Sequence, residues 1–329
     1  MHTSRNALTP EALQMMETIA RTGSFAAAAR ELGKVPSALT YNVRQLEDAL
    51  DVLLFDRKSG QARLTPAGEE LLGEGQRLLA QIEAVANRVR RVSGGWESRL
   101  CIACEYVLSR ETLLELCEAF FALRTDSGEP HGTRLQLRFE VLAGAWEAVL
   151  SGVADLAIGV VVDAVPLPMG IALEPIGDMK FVFVVAPHHP LADAADPISD
   201  EVLLRHRAVV VADSSRTLAP LTYNVVAGQD VLSVPDMQTK VDAQIRGLGC
   251  GFMPEPIARP HVEAGRLVVK SMQRERPAGR LGYAWRTASA PQAKRAPQGL
   301  ALAWWLELLA SPTTRRALLD RHGAMPLAD

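Results

Sequence analysis

The sequence predicts a multidomain protein of mixed α and α/β class, and three observations carry the prediction. Three short segments with helix start and stop signals follow one another within the first 50 residues. A proline-free stretch over 67–92 then repeats apolar residues every seven positions. From residue 99 onward, apolar strand-like runs alternate with amphipathic segments. At 329 residues the chain exceeds one compact core, so we expect two or three domains.

Composition is that of an ordinary globular chain, with 48% hydrophobic and 22% charged residues. No run of about 18 apolar residues occurs, and the amino terminus lacks the apolar stretch of a secretory signal. We therefore expect a cytoplasmic protein with no membrane partner. The net charge of −3 gives no global basic field, so any nucleic-acid partner has to be argued from local residues.

The four cysteines are too few for a disulfide scaffold. Cys101 and Cys104 form a C-x-x-C, but the second pair that zinc needs is absent and the segment has the pattern of a strand. We predict buried core cysteines at Cys101, Cys104 and Cys117, with metal or redox chemistry as the alternative. No metal and no cofactor are expected.

The first helices are predicted from caps and stops. Thr9 caps a helix whose first residue is Pro10, and Gly23 ends it. Ser24 caps a short alanine-rich helix that stops at Gly33. Alanine side chains allow a neighbouring helix to approach closely, so these helices should pack together.

Pro36 opens a third helix with two distinct faces. Its apolar face is spaced four, three and four residues apart and consists of Leu39, Val43, Leu46 and Leu50. Its polar face carries Ser37, Thr40, Tyr41 and Arg44. A short helix, a tight turn and a second helix form the helix-turn-helix arrangement, whose second helix enters the major groove of DNA. A solvated polar face on a small helical bundle is the alternative.

Two short apolar runs, 52–55 and 62–64, flank a turn-rich segment and predict a β hairpin, or wing. Arg57, Lys58 and Arg63 would lie beside the DNA backbone and add salt-dependent, largely sequence-independent affinity. A solvated hairpin tip without a DNA role is the alternative.

The segment GSFAAAARELGKVPSALTYNVRQLEDALDVLLFDR, followed by LTPAG, resembles the LysR-type transcriptional regulator family. The resemblance covers residues 8–70 closely, and the remainder is similar in layout and in phrases such as SGVADLAIGV and GLGCGFMP. It implies a bacterial regulator with a winged helix-turn-helix. It also implies DNA-contacting roles for Ser24, Ser37, Thr40, Tyr41, Arg44, Arg57 and Arg63. Pro36 stands where the family often has glutamine and offers no side-chain donor.

Thr65 and Pro66 repeat the cap-plus-proline start and open a long linker helix that Ser93-Gly94-Gly95 ends. Its heptad positions, weakened by Gly75, predict a homodimer through the linker helix. We place the contact at Leu71, Leu78, Ile82, Val85 and Val89. Packing of the same stripe on its own chain is the alternative. A two-fold axis would present two recognition helices to a partly palindromic site on double-stranded DNA.

The carboxyl-terminal region is predicted as an α/β domain with a mainly parallel sheet. The expected strands cover 100–105, 135–141, 155–161, 181–185, 208–212, 267–269 and 279–286. The expected helices cover 109–121, 145–150, 237–246 and 300–309. Pro166, Pro168 and Gly170 predict a crossing into a second lobe, and the last third of the chain should return to the first.

This layout resembles the periplasmic-binding-protein-like (type 2) sensor domain of the same family, which implies a small-molecule effector between two lobes. Ligand groups should lie where strands of both lobes end. Our candidates are Cys104, Glu105, Tyr106, Gly144, Ala145, Asp213, Ser214, Ser215, Thr239 and Met253. Alternatives are that Glu105 is simply solvated, that Ser214 and Ser215 form a turn, and that Met253 belongs to the core.

Enzyme motifs are weak in this sequence. Gly247, Gly249 and Gly251 form a G-x-G-x-G after a helix rather than before one, which indicates a helix stop and not a phosphate loop. His188-His189-Pro190 lacks a nearby carboxylate or cysteine at ligand spacing, so we expect a surface turn, with a metal site as the alternative. We therefore predict no enzymatic activity.

The predicted domains are a DNA-binding domain at 1–64, a linker helix at 65–94, a first effector lobe at 95–170 with 272–329, and a second lobe at 171–271. The predicted function is sequence-specific transcription regulation by an effector-controlled protein, which we expect to be a homotetramer. The alternative is a cytosolic small-molecule binding protein whose helical segment only dimerises the chain.

Overall fold

A computed structural model describes residues 7–56, 62–125, 128–221, 225–274, 278–287 and 299–322. The chain divides into two compact units, Met1–Arg88 and Val89–Asp329. In the described ranges, no helix is long and apolar enough to cross a bilayer.

Three helices open the first unit, as predicted: α1 (Pro10–Thr22), α2 (Phe25–Glu31) and α3 (Pro36–Leu50). The Thr9 hydroxyl accepts a hydrogen bond from the Ala12 amide at 3.2 Å, and Gly23 ends α1 at a φ of 66°. The start and end of α1 therefore lie at the capping residues that the sequence predicts.

The core of this unit is one apolar cluster. Ala28 and Ala29 of α2 are both 0% exposed in it, so the alanine run serves close packing as predicted. The remaining buried members are Met15, Met16, Ile19, Leu39, Val43, Leu46, Leu54 and Phe55. All three helices contribute to this core, which fixes the turn between α2 and α3.

A two-stranded hairpin follows, made of β1 (Phe55–Asp56) and β2 (Arg63–Leu64), which pair antiparallel. Helix α4 (Pro66–Gly94) begins directly after it. The Thr65 hydroxyl caps α4 by accepting from the Gly68 amide at 3.1 Å. A Cβ at Gly68 would lie 2.1 Å from the Leu54 carbonyl oxygen, so the glycine of LTPAG lets α4 start against the hairpin.

The second unit alternates strands and helices. Its strands are β3 (Arg99–Glu105), β4 (Arg134–Glu140), β5 (Leu156–Val161), β6 (Ile171–Met179), β7 (Phe181–Val185), β8 (Ala208–Val211), β9 (Val231–Val234), β10 (Gly251–Pro254), β11 (Val268–Lys270) and β12 (Gly279–Arg286). Its helices are α5 (Arg110–Ala122), α6 (Ala143–Ser151), α7 (Asp200–Leu203), α8 (Met237–Ile245), α9 (Glu255–Glu263), α10 (Leu300–Ala310) and α11 (Pro312–Asp320), with a 3-10 turn at Pro190–Ala192.

The first lobe is built on a five-stranded sheet of order β4-β3-β5-β12-β6. Strand β3 is parallel to β4 and β5, whereas β12 is antiparallel to β5 and β6. The sheet is therefore mixed, with two parallel and two antiparallel pairings, and the prediction of a mainly parallel sheet holds only for β3, β4 and β5. Strand β3 is buried on both faces, since Leu100 and Ile102 belong to one apolar cluster and Cys101 and Ala103 to another.

The second lobe contains an antiparallel sheet of order β10-β7-β11 and a parallel pair, β8 and β9. A bridge between Ala208 and Cys250 connects the two. Helix α8 ends at Ile245, and Gly247 follows with a φ of 72° before the chain enters β10. The glycine motif is therefore a helix stop and a strand entry, as expected.

The first crossing between the lobes differs from the prediction. We placed it at residue 170, but Ile171–Met179 is a strand that pairs with β12 in the sheet of the first lobe. The crossing therefore lies at Lys180, between β6 and β7. Pro166, Pro168 and Gly170 mark a surface turn that precedes β6, the edge strand of the first-lobe sheet.

Candidate DNA-binding and effector sites

The polar face of α3 points away from the core of the first unit. Leu39, Val43 and Leu46 are at most 1% exposed behind it, whereas Tyr41 on the front is 61% exposed. Ser37 and Arg44 are also exposed, and Thr40 is half-buried. The amphipathic pattern therefore leaves one polar edge of the helix open to a partner.

The hydrogen bonds of this edge are local. Tyr41 accepts a hydrogen bond on its hydroxyl from the Gln45 amide nitrogen at 2.8 Å, and Thr40 donates to the Pro36 carbonyl at 3.1 Å. Within the described ranges, no carboxylate forms an ion pair with Arg44. Its guanidinium thus remains available for phosphate or base contacts.

Glu47 was missed by the sequence analysis. It lies on the buried side of α3, 5% exposed, and its Oε1 accepts from the amides of Leu54 and Phe55 at 2.9 and 3.3 Å. These bonds hold the first strand of the hairpin against α3. The available signal was a carboxylate next to Leu46 on an otherwise apolar face, where a buried acid requires donors.

The remaining DNA-binding candidates fall in three places. The Ser24 hydroxyl accepts from the Ala27 amide at 3.5 Å and so caps α2, and Pro36 is the exposed first residue of α3. Arg63 is exposed on β2. Arg57 and Lys58 lie outside the described residues.

The predicted dimer contact splits along α4. Leu71 is half-buried and packs against the core of the first unit, in line with the alternative of packing on its own chain. Leu78, Ile82 and Val85 are 47%, 50% and 49% exposed. The side chain of Val89 lies outside the described part of the chain. Gly75 is buried, and a Cβ there would lie 2.8 Å from a Leu13 methyl, so it serves the contact between α1 and α4.

In the second unit, three consecutive backbone amides at the start of α6 donate to side chains, two to the second lobe and one to the first lobe itself. The Val141 amide donates to Ser214 Oγ at 2.9 Å, and the Leu142 amide donates to Glu105 Oε1 at 3.1 Å. The Ala143 amide donates to Asp213 Oδ2 at 3.2 Å. Candidates from both lobes therefore meet at one place, where strands β3, β4 and β8 end.

Leu142 has a φ of 52°, a left-handed conformation that a leucine rarely adopts. This residue lies between Val141 and Ala143, whose amides donate across the gap between the lobes. Strained residues of this kind concentrate at ligand sites, where surrounding contacts maintain them.

Glu105 is 4% exposed, so the alternative that it is simply solvated is wrong. Burial raises the pKa of its carboxyl to about 7, against the opposing effect of hydrogen bonds from the Val107 and Leu142 amides. The carboxylate of Asp213 across the gap raises that pKa further. The protonation state of this side chain therefore changes near neutral pH.

Several predicted effector residues belong to the core. Cys104 and Met253 are each 0% exposed in apolar clusters, and the Ala145 side chain is buried beside Trp146. A ligand between the lobes cannot reach the side chains of Cys104 and Met253, so we correct those two assignments, whereas Ala145 was a candidate for its backbone amide and stays a prediction. The alternative of a core role holds for Met253.

The other candidates surround the gap. Tyr106 is half-buried against the Phe139 ring, and Thr239 is exposed in the first turn of α8. The Ser215 amide donates to Asp213 Oδ1 at 2.8 Å, which makes Ser215 a turn residue as its alternative stated. Gly144 is buried, and a Cβ there would lie 1.8 Å from Ser214 Oγ.

The cysteines show no metal-site arrangement. All four are buried, and burial raises the thiol pKa of Cys117 to about 11 and that of Cys250 to about 12. Among the residues that the structure describes, no group of three or more His, Cys, Asp or Glu side chains could hold a metal ion. His189 is 7% exposed and caps the 3-10 turn through its Nδ1, so it is a turn residue but not a surface one.

A helix-turn-helix with a wing, a long connecting helix and a two-lobed α/β unit define a DNA-binding regulator with a sensor domain. The comparisons agree. Residues 10–69 match the bacterial regulatory helix-turn-helix protein, lysR family, and residues 93–311 match the LysR substrate binding domain.

Curated relatives cover most of the chain. The uncharacterized HTH-type transcriptional regulator YeeY of Escherichia coli (strain K12) is 33% identical over 303 residues, 92% of this chain and 93% of that protein. The HTH-type transcriptional regulator YhaJ of Escherichia coli O157:H7 is 36% identical over 293 residues, 88% of this chain and 94% of the relative. Full-length CbnR complexed with its target DNA has a similar fold, with a TM-score of 0.51 at 18% identity, covering 91% of this chain and 98% of that one.

The chain belongs to the LysR family of transcriptional regulators. It has a helix-turn-helix DNA-binding domain and an effector-binding domain, and the family is not enzymatic. The predicted family, fold class and regulatory function are thereby confirmed, and the rival of a binding protein without a DNA role is excluded.

Proposed function

We propose that the polar edge of α3 reads the operator through Ser37, Thr40, Tyr41 and Arg44. The observation that carries this proposal is the burial of Leu39, Val43 and Leu46 behind that exposed edge. Arginine pairs with guanine in the major groove, and hydroxyls contact base edges and phosphates. Pro36 contributes no donor and fixes the start of the helix.

Ser24 and the wing supply the phosphate contacts in this proposal. Arg63 is exposed on β2, and Arg57 and Lys58 belong to the same hairpin in sequence. Contacts to phosphate position a protein on the duplex and carry no sequence information of their own. The wing therefore adds affinity that falls steeply as salt rises.

We further propose that the chain is a homodimer through α4, and that two dimers form a homotetramer. The dimer is supported by a stripe of large apolar side chains on α4 that are about half exposed, namely Leu78, Ile82 and Val85. Such a stripe is typical of a coiled-coil face whose partner helix is absent. A two-fold axis would place two recognition helices on a partly palindromic site.

Leu78→Asp tests the dimer. Burying the new carboxylate in the apolar interface would cost more free energy than the contact of the two helices provides, so the dimer should dissociate. We expect a shift to smaller species in analytical ultracentrifugation, while Gln81→Asp, on the neighbouring exposed position, leaves the mass unchanged. An unchanged mass for Leu78→Asp would remove α4 from the interface.

For the sensor domain, we propose a small-molecule effector between the lobes, contacted by Glu105, Tyr106, Gly144, Asp213, Ser214, Ser215 and Thr239. The Val141 and Ala143 amides support this place because they donate to Ser214 and Asp213 of the opposite lobe. Domain bounds of 1–64 and 65–94 stay as proposed for the DNA-binding domain and the linker helix. The effector lobes become 95–179 with 278–329, and 181–274.

Selection of duplexes from a random-sequence pool by the full chain tests the DNA proposal without a known operator. We expect enrichment of a partly palindromic sequence and binding to it that weakens as salt is raised. Anisotropy titrations of the enriched duplex and a scrambled duplex, each at two salt concentrations, measure both effects. Equal affinity for the two duplexes would overturn the proposed reading by α3.

A further inference from the structure

Residues 213–221, here named the interlobe segment, leave the second lobe and contact the first. The segment is anchored where β8 ends, because the Ala212 amide donates to the Val234 carbonyl at 2.8 Å. Asp213 Oδ2 then accepts from the Leu221 amide at 2.7 Å, which closes the segment into a loop. The same oxygen accepts from Ala143 of the first lobe.

Ser214 makes a two-way contact with the end of β4. Its hydroxyl accepts from the Val141 amide at 2.9 Å and donates to Glu140 Oε2 at 2.8 Å. Its own amide donates to the Val141 carbonyl at 3.3 Å. The approach depends on Gly144, where any Cβ would meet the Ser214 hydroxyl.

Glu147 on α6 binds the next part of the segment. Its Oε2 accepts from three consecutive amides, Arg216, Thr217 and Leu218, at 2.9, 2.8 and 3.2 Å. Burial acts to raise the pKa of Glu147, but these amides outweigh it and hold that pKa below its usual value. The carboxylate is therefore charged at neutral pH and holds the loop by charge-assisted hydrogen bonds.

An apolar contact completes the arrangement. The Leu218 side chain packs against the first-lobe cluster that contains Trp146 and Val149. Ser214 remains exposed and Leu218 is only half-buried, so these contacts close the gap without becoming part of either lobe's core. Such contacts are individually modest and reversible.

We propose that the interlobe segment is an internal ligand that holds the two lobes together, and that an effector has to displace Asp213 and Ser214 from the amides before α6. Glu147 is the positioning residue of this closure. The role of the effector rests on the function proposed above, whereas the closure itself depends only on contacts within this chain. An effector would then shift an equilibrium between closed and open lobes by competing for the same donors.

Hydrogen–deuterium exchange of the full chain, followed by mass spectrometry, tests the closure without any effector. Glu147→Gln removes the charge that holds three amides, and we expect exchange in peptides covering 213–221 to rise about tenfold to a hundredfold. Ser214→Ala removes the acceptor of the Val141 amide, and a smaller rise is expected there and at the start of α6. Glu263→Gln, an exposed residue at the end of α9, is the matched control and should change neither region.

A rise confined to 213–221 and the start of α6 supports the proposal. Unchanged protection in both variants, or a rise spread evenly over all peptides, overturns it. Failure of the proposed DNA function would be visible separately, as equal binding of selected and scrambled duplexes by the unaltered chain.

Discussion

The polar face of α3 and the gap between the effector lobes differ in how their polar side chains are bonded. On α3, Tyr41 and Arg44 project into solvent from a rigid apolar base. In the gap, Glu105, Asp213 and Ser214 are already bonded to backbone amides of the chain itself. The first surface is preorganised for a partner, whereas the polar groups of the second already have partners within the chain, which in our proposal an effector replaces.

The largest expected effect is a loss of stability when the buried apolar face of α3 is altered. Leu46 is 1% exposed, and Leu46→Ala should destabilise the DNA-binding unit by about 2–5 kcal/mol because it leaves a cavity. Thermal unfolding measures the loss. The control is Tyr41→Ala on the front of the same helix, for which we expect stability within about 0.5 kcal/mol and weaker DNA binding. Equal destabilisation by both variants would contradict the division of α3 into an exposed polar face and a buried apolar face.

Glu105 should make the stability of the effector domain depend on pH. The folded protein binds a proton at Glu105 more tightly than the unfolded chain does, because the pKa is raised to about 7. The free energy of unfolding therefore falls as pH rises from about 4.5 to about 7, and Glu105 accounts for up to about 3 kcal/mol of this fall. Above about pH 7, Glu105 causes no further change in the free energy of unfolding.

Melting temperatures of the full chain across pH 5 to 8 check this expectation. Glu105→Gln cannot ionise, so its melting curve should lack the part of the pH dependence that Glu105 contributes, whatever its absolute stability. Parallel curves for the two proteins would show that Glu105 does not titrate in this range.

A smaller effect is expected at Glu47, which supports the open face from within. Glu47→Ala leaves the Leu54 and Phe55 amides without their acceptor and should cost about 1–3 kcal/mol. Glu47→Gln keeps one acceptor oxygen and is the matched control, with a loss of about 1 kcal/mol or less expected. Denaturant titration separates the two. Identical losses would mean that the hairpin is held by packing alone.

Much of the fold could be predicted because its signals are local. Thr9, Ser24 and Thr65 cap helices where the sequence indicated, and Phe181–Val185 and Gly279–Arg286 are strands with the predicted bounds. Strand Ile171–Met179 could not be predicted, since Pro175 and Gly177 interrupt it and only its long-range pairing with β12 makes it a strand.

The candidate site was predictable in part. Glu105, Asp213 and Ser214 all bond to the run of amides at 141–143, because β3 of the first lobe and β8 of the second lobe end next to the start of α6. Cys104 was misassigned, although alternation along β3 places it on the same buried face as Ile102. Glu147 was missed because its partners, the amides of 216–218, are some 70 residues away and carry no side-chain signal.

The most direct test of the account measures binding of the selected duplex and a scrambled duplex by Arg44→Ala and by Arg63→Ala. For Arg44→Ala, we expect a loss of about 1–3 kcal/mol on the selected duplex alone, because a base contact is removed. For Arg63→Ala, we expect similar weakening on both duplexes and a shallower salt dependence. Unchanged affinity of Arg44→Ala for the selected duplex would contradict the assignment of α3 as the reading helix.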